Sequence, residues 1–338
     1  MDGLDIAYCE FSCIRKRWHF HIRQSETIVY KKEIRERLLQ AGNGSALDLA
    51  NDHHWYGRWQ GEQVKKFIVR HKLKPTLISA HGHTLFHQPS KKISWQLGSG
   101  ASLAAACGID AVTDFRTTDI ALGGQGAPLV PIGDEILFPE YDFCLNLGGF
   151  ANISYREKKR RLAFDICPVN IVLNELSLLR GKQYDRGGDM ARAGVISRVL
   201  LDSLNKGSYF RKKGPRSLGK EWVTANVLPL IYRSKASPED MLSTYTEHIS
   251  IQIAKHLTGR KPKILLTGGG AWNDFLIERI VHHSGFRIKL PDNTLIAFKE
   301  ALVFAFLGLL RYRNEINTCR SVTGASRDSI GGGIYSGV

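Results

Sequence analysis

The chain has 338 residues, 43% of them hydrophobic, which is enough for one large or two medium domains with their own cores. Its formal charge of +15 and pI near 9.6 raise the question of nucleic acid. Lys and Arg gather only in the short clusters "RKRWHFHIR", "REKKRR" and "FRKKGPR", with no basic tail and no nucleic-acid motif, so nucleic acid is not an expected partner. No uninterrupted apolar run reaches membrane-spanning length; "ALVFAFLGLL" is short and reads as a buried helix. The N-terminus shows no basic region followed by an apolar one, so a cytoplasmic protein is expected. Cys9, Cys13, Cys107, Cys144, Cys167 and Cys319 form no Cys-x-x-Cys pair. Free thiols in a reducing compartment are expected, rather than a zinc site or a disulfide framework.

In chain order, strand-like runs alternate with helical ones, the pattern of an α/β protein. "LDIAYCEF" reads as a strand, and "WHFHIR" and "SETIVY" suit paired strands after it. "KKEIRERLLQA" and "WQGEQVKKFIVRHK" read as helices, the first with Ile34, Leu38 and Leu39 on one face. "TLISAHGHT" is a buried strand ending in a polar turn, "GASLAAACG" a small-residue helix and "IDAVTDF" a further strand. The pattern restarts after Pro131–Pro139. "YDFCLNLGGFANISY" is strand, Gly-Gly turn and strand, and "LAFD" is a third strand. "REKKRR" between them is a solvated hairpin turn. Helices follow at "IVLNELSLLRG", "DMARAGVISRVLLDSL" and "PEDMLSTYTEHISIQIAKHLTG". "PKILLTGGGAWNDFLIERIVHHSG" is strand, glycine turn and helix, and "IAFKEALVFAFLGLLRYR" is the last long helix. Two α/β halves are expected, residues 1–137 and 138–338, with the last segment free to pack back on the first.

Four stretches could carry chemistry. In "NLGGFANIS", Gly148 and Gly149 make either a tight hairpin or a turn whose N–H groups hold phosphate, with Asn152 placed to orient it. In "LLTGGGAWNDFLIERI", Gly268, Gly269 and Gly270 join a strand to a helix, a geometry that suits phosphate or nucleotide. The stretch lacks the dinucleotide and P-loop spacings. Asn273 or Asp274 would serve equally as a helix cap. In "DFRTTDIALGGQGAPLVP", Asp114, Arg116, Thr117 and Asp119 precede a glycine-rich loop. Arg116 could fork onto a substrate carboxylate or pair with Asp119. In "LAFDICPVN", Asp165 is either a helix cap or a free carboxylate at a strand end; Pro168 in the first helical turn disfavours the cap.

Taken in order, "SAHGHTLFHQP", "WQLGSGASLAAACGIDAVTDFRTTDIALGGQGAPLVP", "LNLGGFANIS", "AFDICPVN", "YDRGGDMARAG", "LLTGGGAWN", "KEALVFAFLG" and "SVTGASRDSIGGGIY" resemble the anhydro-N-acetylmuramic acid kinase family. This is a branch of the acetate kinase/sugar kinase/Hsp70/actin superfamily. The resemblance implies an α/β fold of two actin-like (ribonuclease H-like) domains with a nucleotide cleft between them. It implies ATP and Mg²⁺ as cofactors, an amino sugar as substrate, a role in peptidoglycan recycling and room for a homodimer. By resemblance, Asp165 matches the catalytic aspartate and Glu300 an acid lining the sugar site. Gly148, Gly149, Asn152, Gly268, Gly269, Gly270 and Asn273 match the nucleotide and phosphate turns, and Arg116, Thr117 and Asp119 the sugar-side loop. Asp2 and Gly3 match the end of a first phosphate loop, and Asp2 and Asp165 are candidates to organise Mg²⁺ through water. The reaction implied is hydrolysis of a 1,6-anhydro sugar coupled to phosphorylation. Two departures stand out. Relatives carry Gly-Thr-Ser before "MDGLD": either the chain is cut short at an internal methionine, or its first phosphate site is incomplete, in which case weak ATP binding is expected, with a catalytically impaired sugar-binding protein as the alternative. Ile166, Cys167 and Val169 replace small or polar residues, which would either be a variant of the lineage or narrow the site.

Overall fold

The computed structural model describes residues 3–158, 160–211 and 216–337. By its internal contacts the chain divides into two units: residues up to Phe138 together with those from Phe298 on, and Pro139–Ala297. In the first unit β1 (Gly3–Ile14) runs antiparallel to β2 (Arg17–Val29) with a bulge at Tyr8/Cys9. "WHFHIR" and "SETIVY", expected as two paired strands, are one continuous strand laid on β1. Gln24, which links them, is neither Gly nor Pro, so the strand runs on, with Arg23 as the extra residue of the bulge. Phe11 and Trp18 pack on Phe306, with ring centroids 5.3 and 5.1 Å away, and Phe20 packs on Phe138 at 5.2 Å.

Helix α1 (Lys32–Gln40) buries Leu38 and leaves Leu39 exposed. The long helix α2 (Ala46–His71) opens with a capping box, the Ser45 side chain accepting from Asp48 N while the Asp48 carboxylate accepts from Ser45 N. After β3 (Ile78–Ser79) comes the hairpin β4 (His83–Gln88) and β5 (Ile93–Leu97), then α3 (Gly100–Cys107). Helix α2 meets α3 at Gly57 and Gly61. A Cβ on Gly57 would stand 2.4 Å from Ser99 O, and one on Gly61 2.6 Å from Leu103 O, so only hydrogen fits there. Strand β6 (Ala111–Thr113) lies parallel to β3, and the short α4 (Thr117–Ala121) and α5 (Val130–Leu137) follow.

The second unit is built on a four-stranded sheet. Strand β7 (Phe143–Leu147) turns at Gly148-Gly149 into β8 (Phe150–Glu157), which pairs with β9 (Arg160–Pro168). "REKKRR" spans the β8–β9 connection, but Arg161 is not solvated: it is buried and donates to the Ser154 hydroxyl at 2.9 Å. Next come α6 (Asn170–Leu178), α7 (Asp189–Ala193) and α8 (Arg198–Asn205). The single helix expected over 189–204 is broken at Gly194, whose Cβ would stand 2.1 Å from Glu239 O, and Ser197 caps the restart. Helices α9 (Lys220–Asn226) and α10 (Leu228–Arg233) lead to α11 (Pro238–Ala254), capped by Ser237 with Pro238 in its first turn. Helix α11 is buried nearly all round, which explains its weak amphipathic pattern. Strand β10 (Ile264–Thr267), fully buried, lies parallel to β7 and completes the order β10-β7-β8-β9 before α12 (Asp274–Ser284).

Helix α13 (Asn293–Tyr312) departs from helical geometry at Phe298 (φ −115°, ψ 15°), where the first unit resumes. Among the described residues it is the one helix long and apolar enough by length and composition to cross a membrane. Leu302, Val303, Phe306 and Leu307 are nevertheless buried inside the first unit, where Val303 and Leu307 pack with Val112, Phe115, Leu129 and Ile132. Helix α14 (Arg320–Thr323) and β11 (Gly333–Tyr335), antiparallel to β6, close this unit.

Candidate active site

The second unit places one polar residue of each strand in a single row across its sheet. Register pairs Thr267 of β10 with Asn146 of β7, Asn146 with Asn152 of β8, and Asn152 with Asp165 of β9. The last pairing depends on a bulge. Ala151 opposes Cys167 and Asn152 opposes Asp165, leaving Ile166 without an opposite residue. Without that extra residue Asn152 would face Ile166, so the bulge aims the carboxylate into the row. Asn152 Nδ2 donates to Asp165 Oδ1 at 3.0 Å, Asn146 Nδ2 to Asn152 Oδ1 at 3.4 Å, and Thr267 Oγ1 to Asn146 Oδ1 at 3.4 Å.

Asp165 lies inside β9 and caps no helix; α6 begins five residues later behind Val169 without a side-chain cap. The segment after residue 215 covers its other side. Leu218 N donates to Asp165 Oδ2 at 2.9 Å, and Tyr209 Oη donates to its backbone carbonyl at 2.7 Å. Burial raises the carboxyl pKa, against the opposing pull of the Leu218 N–H, Asn152, Ser217 and the Arg216 cation. A half-buried carboxylate with a raised pKa, still holding unused lone pairs, is suited to take a proton. Its neighbours Ile166, Cys167 and Val169 turn into the core and are fully buried. Burial pushes the Cys167 thiol pKa up, so it stays protonated.

Both glycine turns lie at the edge of this row. The backbone of Gly268 has φ +84°, and a Cβ there would stand 2.8 Å from Leu147 C, so β10 can leave the sheet this close to β7 only at glycine. A Cβ on Gly149 would meet nothing within 4 Å, and one on Gly269 only Asn170 Nδ2 at 3.7 Å, so both turns present open backbone. The carbonyls of Gly148 and Gly149 accept from the first N–H groups of α6. Asn273 is the cap of α12, its Oδ1 accepting from Leu276 N at 2.9 Å.

The first unit by itself holds a cavity of about 620 Å³, a size typical of small-molecule sites. Gly3, Asp5, Tyr30, Ser79, His81 and Glu300 are among the residues that line it. Glu300 is exposed at the cavity wall, and desolvation by the protein around it raises its pKa against the pull of Arg116. Its neighbour Lys299 turns inward to Asp134 at 2.6 Å, so of "KE" only the acid faces the cavity. Asp2 lies outside the described residues.

Arg116 does not pair with Asp119. Its Nε and one terminal nitrogen donate to His81 Nε2 at 3.0 and 2.7 Å, and the other donates to Gly126 O at 2.7 Å. Because a guanidinium only donates, His81 Nε2 must accept, and the ring proton sits on Nδ1, 3.0 Å from Gly82 O. Burial and the Arg116 charge lower the His81 pKa to about 3, so it is neutral. Thr117 Oγ1 donates to Asp114. Asp119 is fully buried, accepting from Gly126 N and Thr323 Oγ1 at 2.7 Å each.

Asn146, Thr267, Asp5 and His81 were not singled out in the sequence. The signal for the first two was present: one polar residue stands in each of the apolar strand ends "CLNL" and "LLT", directly before a glycine turn.

Comparison with known proteins adds a family. The family described as anhydro-N-acetylmuramic acid kinase matches residues 1–337. An anhydro-N-acetylmuramic acid kinase of Saccharophagus degradans is 33% identical, covering 99% of this chain and 96% of that protein. One of Vibrio vulnificus is 32% identical over 99% and 95%. Among solved structures, the activator of the 2-hydroxyisocaproyl-CoA dehydratase from Clostridium difficile with bound ADPNP superposes with a TM-score of 0.44 at 12% identity, over 91% of this chain and 96% of that one. A likeness that distant decides nothing about the site.

Proposed function

The chain belongs to the anhydro-N-acetylmuramic acid kinase family and is a kinase of that family, and we propose that it uses ATP to convert 1,6-anhydro-N-acetylmuramic acid and water to N-acetylmuramic acid 6-phosphate, a step of peptidoglycan recycling. The observation that carries this reading is Asp165. Its carboxylate is half-buried at the end of a polar row, beside two glycine turns with open backbone. Asp165 takes a proton from a water that attacks C1 of the sugar. The C1–O6 bond breaks, and O6 takes the γ-phosphoryl group of ATP, leaving ADP. The Gly148-Gly149 and Gly268–Gly270 turns receive the phosphates through backbone N–H groups. Arg116, Thr117 and Glu300 meet the sugar, with Asp119 holding their loop. Nothing found favours the alternative of a protein that binds sugar without turnover.

Mg²⁺ would fit this site as an ion carried by nucleotide phosphates, with Asp165 near enough to organise its water. Among the described residues no group of three or more His, Cys, Asp or Glu could hold a metal. The test is incubation with ATP, Mg²⁺ and the 1,6-anhydro sugar in ¹⁸O-water. ADP and sugar phosphate should form in equal amounts, with the label at the C1 hydroxyl. Asp165→Asn should lower turnover by about 10²–10⁴-fold, the usual contribution of a general base. ADP without sugar phosphate, or full activity in that variant, would overturn the reading.

A further inference from the structure

We propose that Asn146 and Thr267 are positioning residues for Asp165, joined to it through Asn152 in a one-way chain of donors that also touches both glycine turns. This rests on the reading of Asp165 as the base. The direction of the chain follows from chemistry. An ionised Asp165 can only accept, so Asn152 must present its NH₂. The Asn152 carbonyl then faces Asn146, which must also present its NH₂. The Asn146 carbonyl is left to accept from the Thr267 hydroxyl. Each donor polarises the next toward the carboxylate.

The same amide of Asn146 lies under both turns. A Cβ on Gly148 would stand 3.2 Å from its Nδ2, and one on Gly268 2.7 Å from its Oδ1. A movement of either turn displaces Asn146 and, through Asn152, the base. The inner link is 3.0 Å and the outer two 3.4 Å, so influence fades along the row. The other titratable or charged groups near Asp165 are Tyr209, Arg216 and Cys167, with His256 behind Arg216 at 3.2 Å. None of them joins the row, and none is changed in the test.

The experiment follows the Asp165 carboxyl carbon by NMR in the full, unliganded chain with ¹³C-labelled aspartate, assigned by its loss in Asp165→Asn. Asn146→Ala and the near-isosteric Thr267→Val are compared with wild type, each checked for an unchanged fold by circular dichroism. The Asp165 titration should move to higher pH in both, more in Asn146→Ala. In turnover assays kcat on the acid side of the profile should fall roughly three- to tenfold in Asn146→Ala, the size of one neutral hydrogen bond, and recover at alkaline pH. The KM for sugar should stay within about twofold, because the row meets the base and not the ligand. Folded variants with an unmoved Asp165 titration would overturn the proposal. A moved titration with turnover indifferent to Asp165→Asn would uphold the row and overturn the base reading instead.

Discussion

A carboxyl whose pKa is raised by folding weakens the folded state wherever it is ionised. Asp165 is such a group, with burial as the leading cause. Its favourable contribution is fully present below its unfolded pKa and is lost as pH rises through the higher folded one. Wherever Asp165 is ionised, the native protein therefore carries a destabilising charge at its proposed base, a common cost of active sites. Asp165→Asn removes it without breaking the row. The new amide can turn its oxygen to Leu218 N and its NH₂ to Asn152; the amides of Asn152 and Asn146 then both flip, and the Thr267 hydroxyl accepts. The variant is expected to melt above wild type near pH 7, with the gap closing as pH falls toward the ordinary aspartate value of 3.8. Calorimetry at several pH values decides this; a gap that widened on acidification would contradict it.

At the scale of elements, glycine sets how closely two helices approach. Gly57 in α2 lies against the α3 end at Ser99, and an added methyl there would reach 2.4 Å from a backbone oxygen. Backbone cannot yield as a flexible side chain does. Gly57→Ala is expected to lose stability despite alanine's better helix propensity, by about 1–3 kcal/mol as in other overpacked sites. Thermal unfolding measures it, with the exposed, capped start of α2 as a control: a substitution at Leu47 should change little. Such close approaches also mark the limit of what the sequence discloses. The strand–turn–strand at "YDFCLNLGGFANISY" was legible because apolar runs and paired glycines are local signals. The break at Gly194 was not, since Glu239 decides it from 45 residues away, nor was the burial of Arg161, which turns on how β8 and β9 pair beside Ser154. For the site, the stretch holding Asp165 was legible. The row that aims it was not, because cross-strand register and the bulge at Ile166 appear only once four strands are side by side. Arg116 drew attention as a charged fork beside Asp119, yet its partner is His81, 35 residues earlier.

At the scale of the whole molecule, the first unit is made of two stretches of chain, and Asp119 is one place where they are tied. One oxygen holds Gly126 N in the glycine-rich loop; the other holds the Thr323 hydroxyl, 204 residues further on. The carboxylate is fully buried, so its removal leaves the buried Gly126 N–H without its acceptor and the Thr323 hydroxyl with only its longer bond to Cys319 O at 3.3 Å. The orphaned N–H makes the cost of Asp119→Ala at least about 1–3 kcal/mol. Asp119→Asn keeps one oxygen and should lose less, a graded pair that separates the hydrogen bonds from the volume. The consequence should be local before it is global. In hydrogen exchange, the Gly126 amide and residues 320–329 should open early, because Thr318 and Ser329 pair in the same stretch. Amides of β7 and β10, whose sheet lies wholly within the other unit, should keep their protection. Since Arg116 also donates to Gly126 O, the variant should loosen the Arg116 fork and raise the KM for sugar more than it lowers kcat. Equal loss of protection in both units, or a kcat effect without a KM effect, would show that Asp119 does something other than hold this loop to the returning chain.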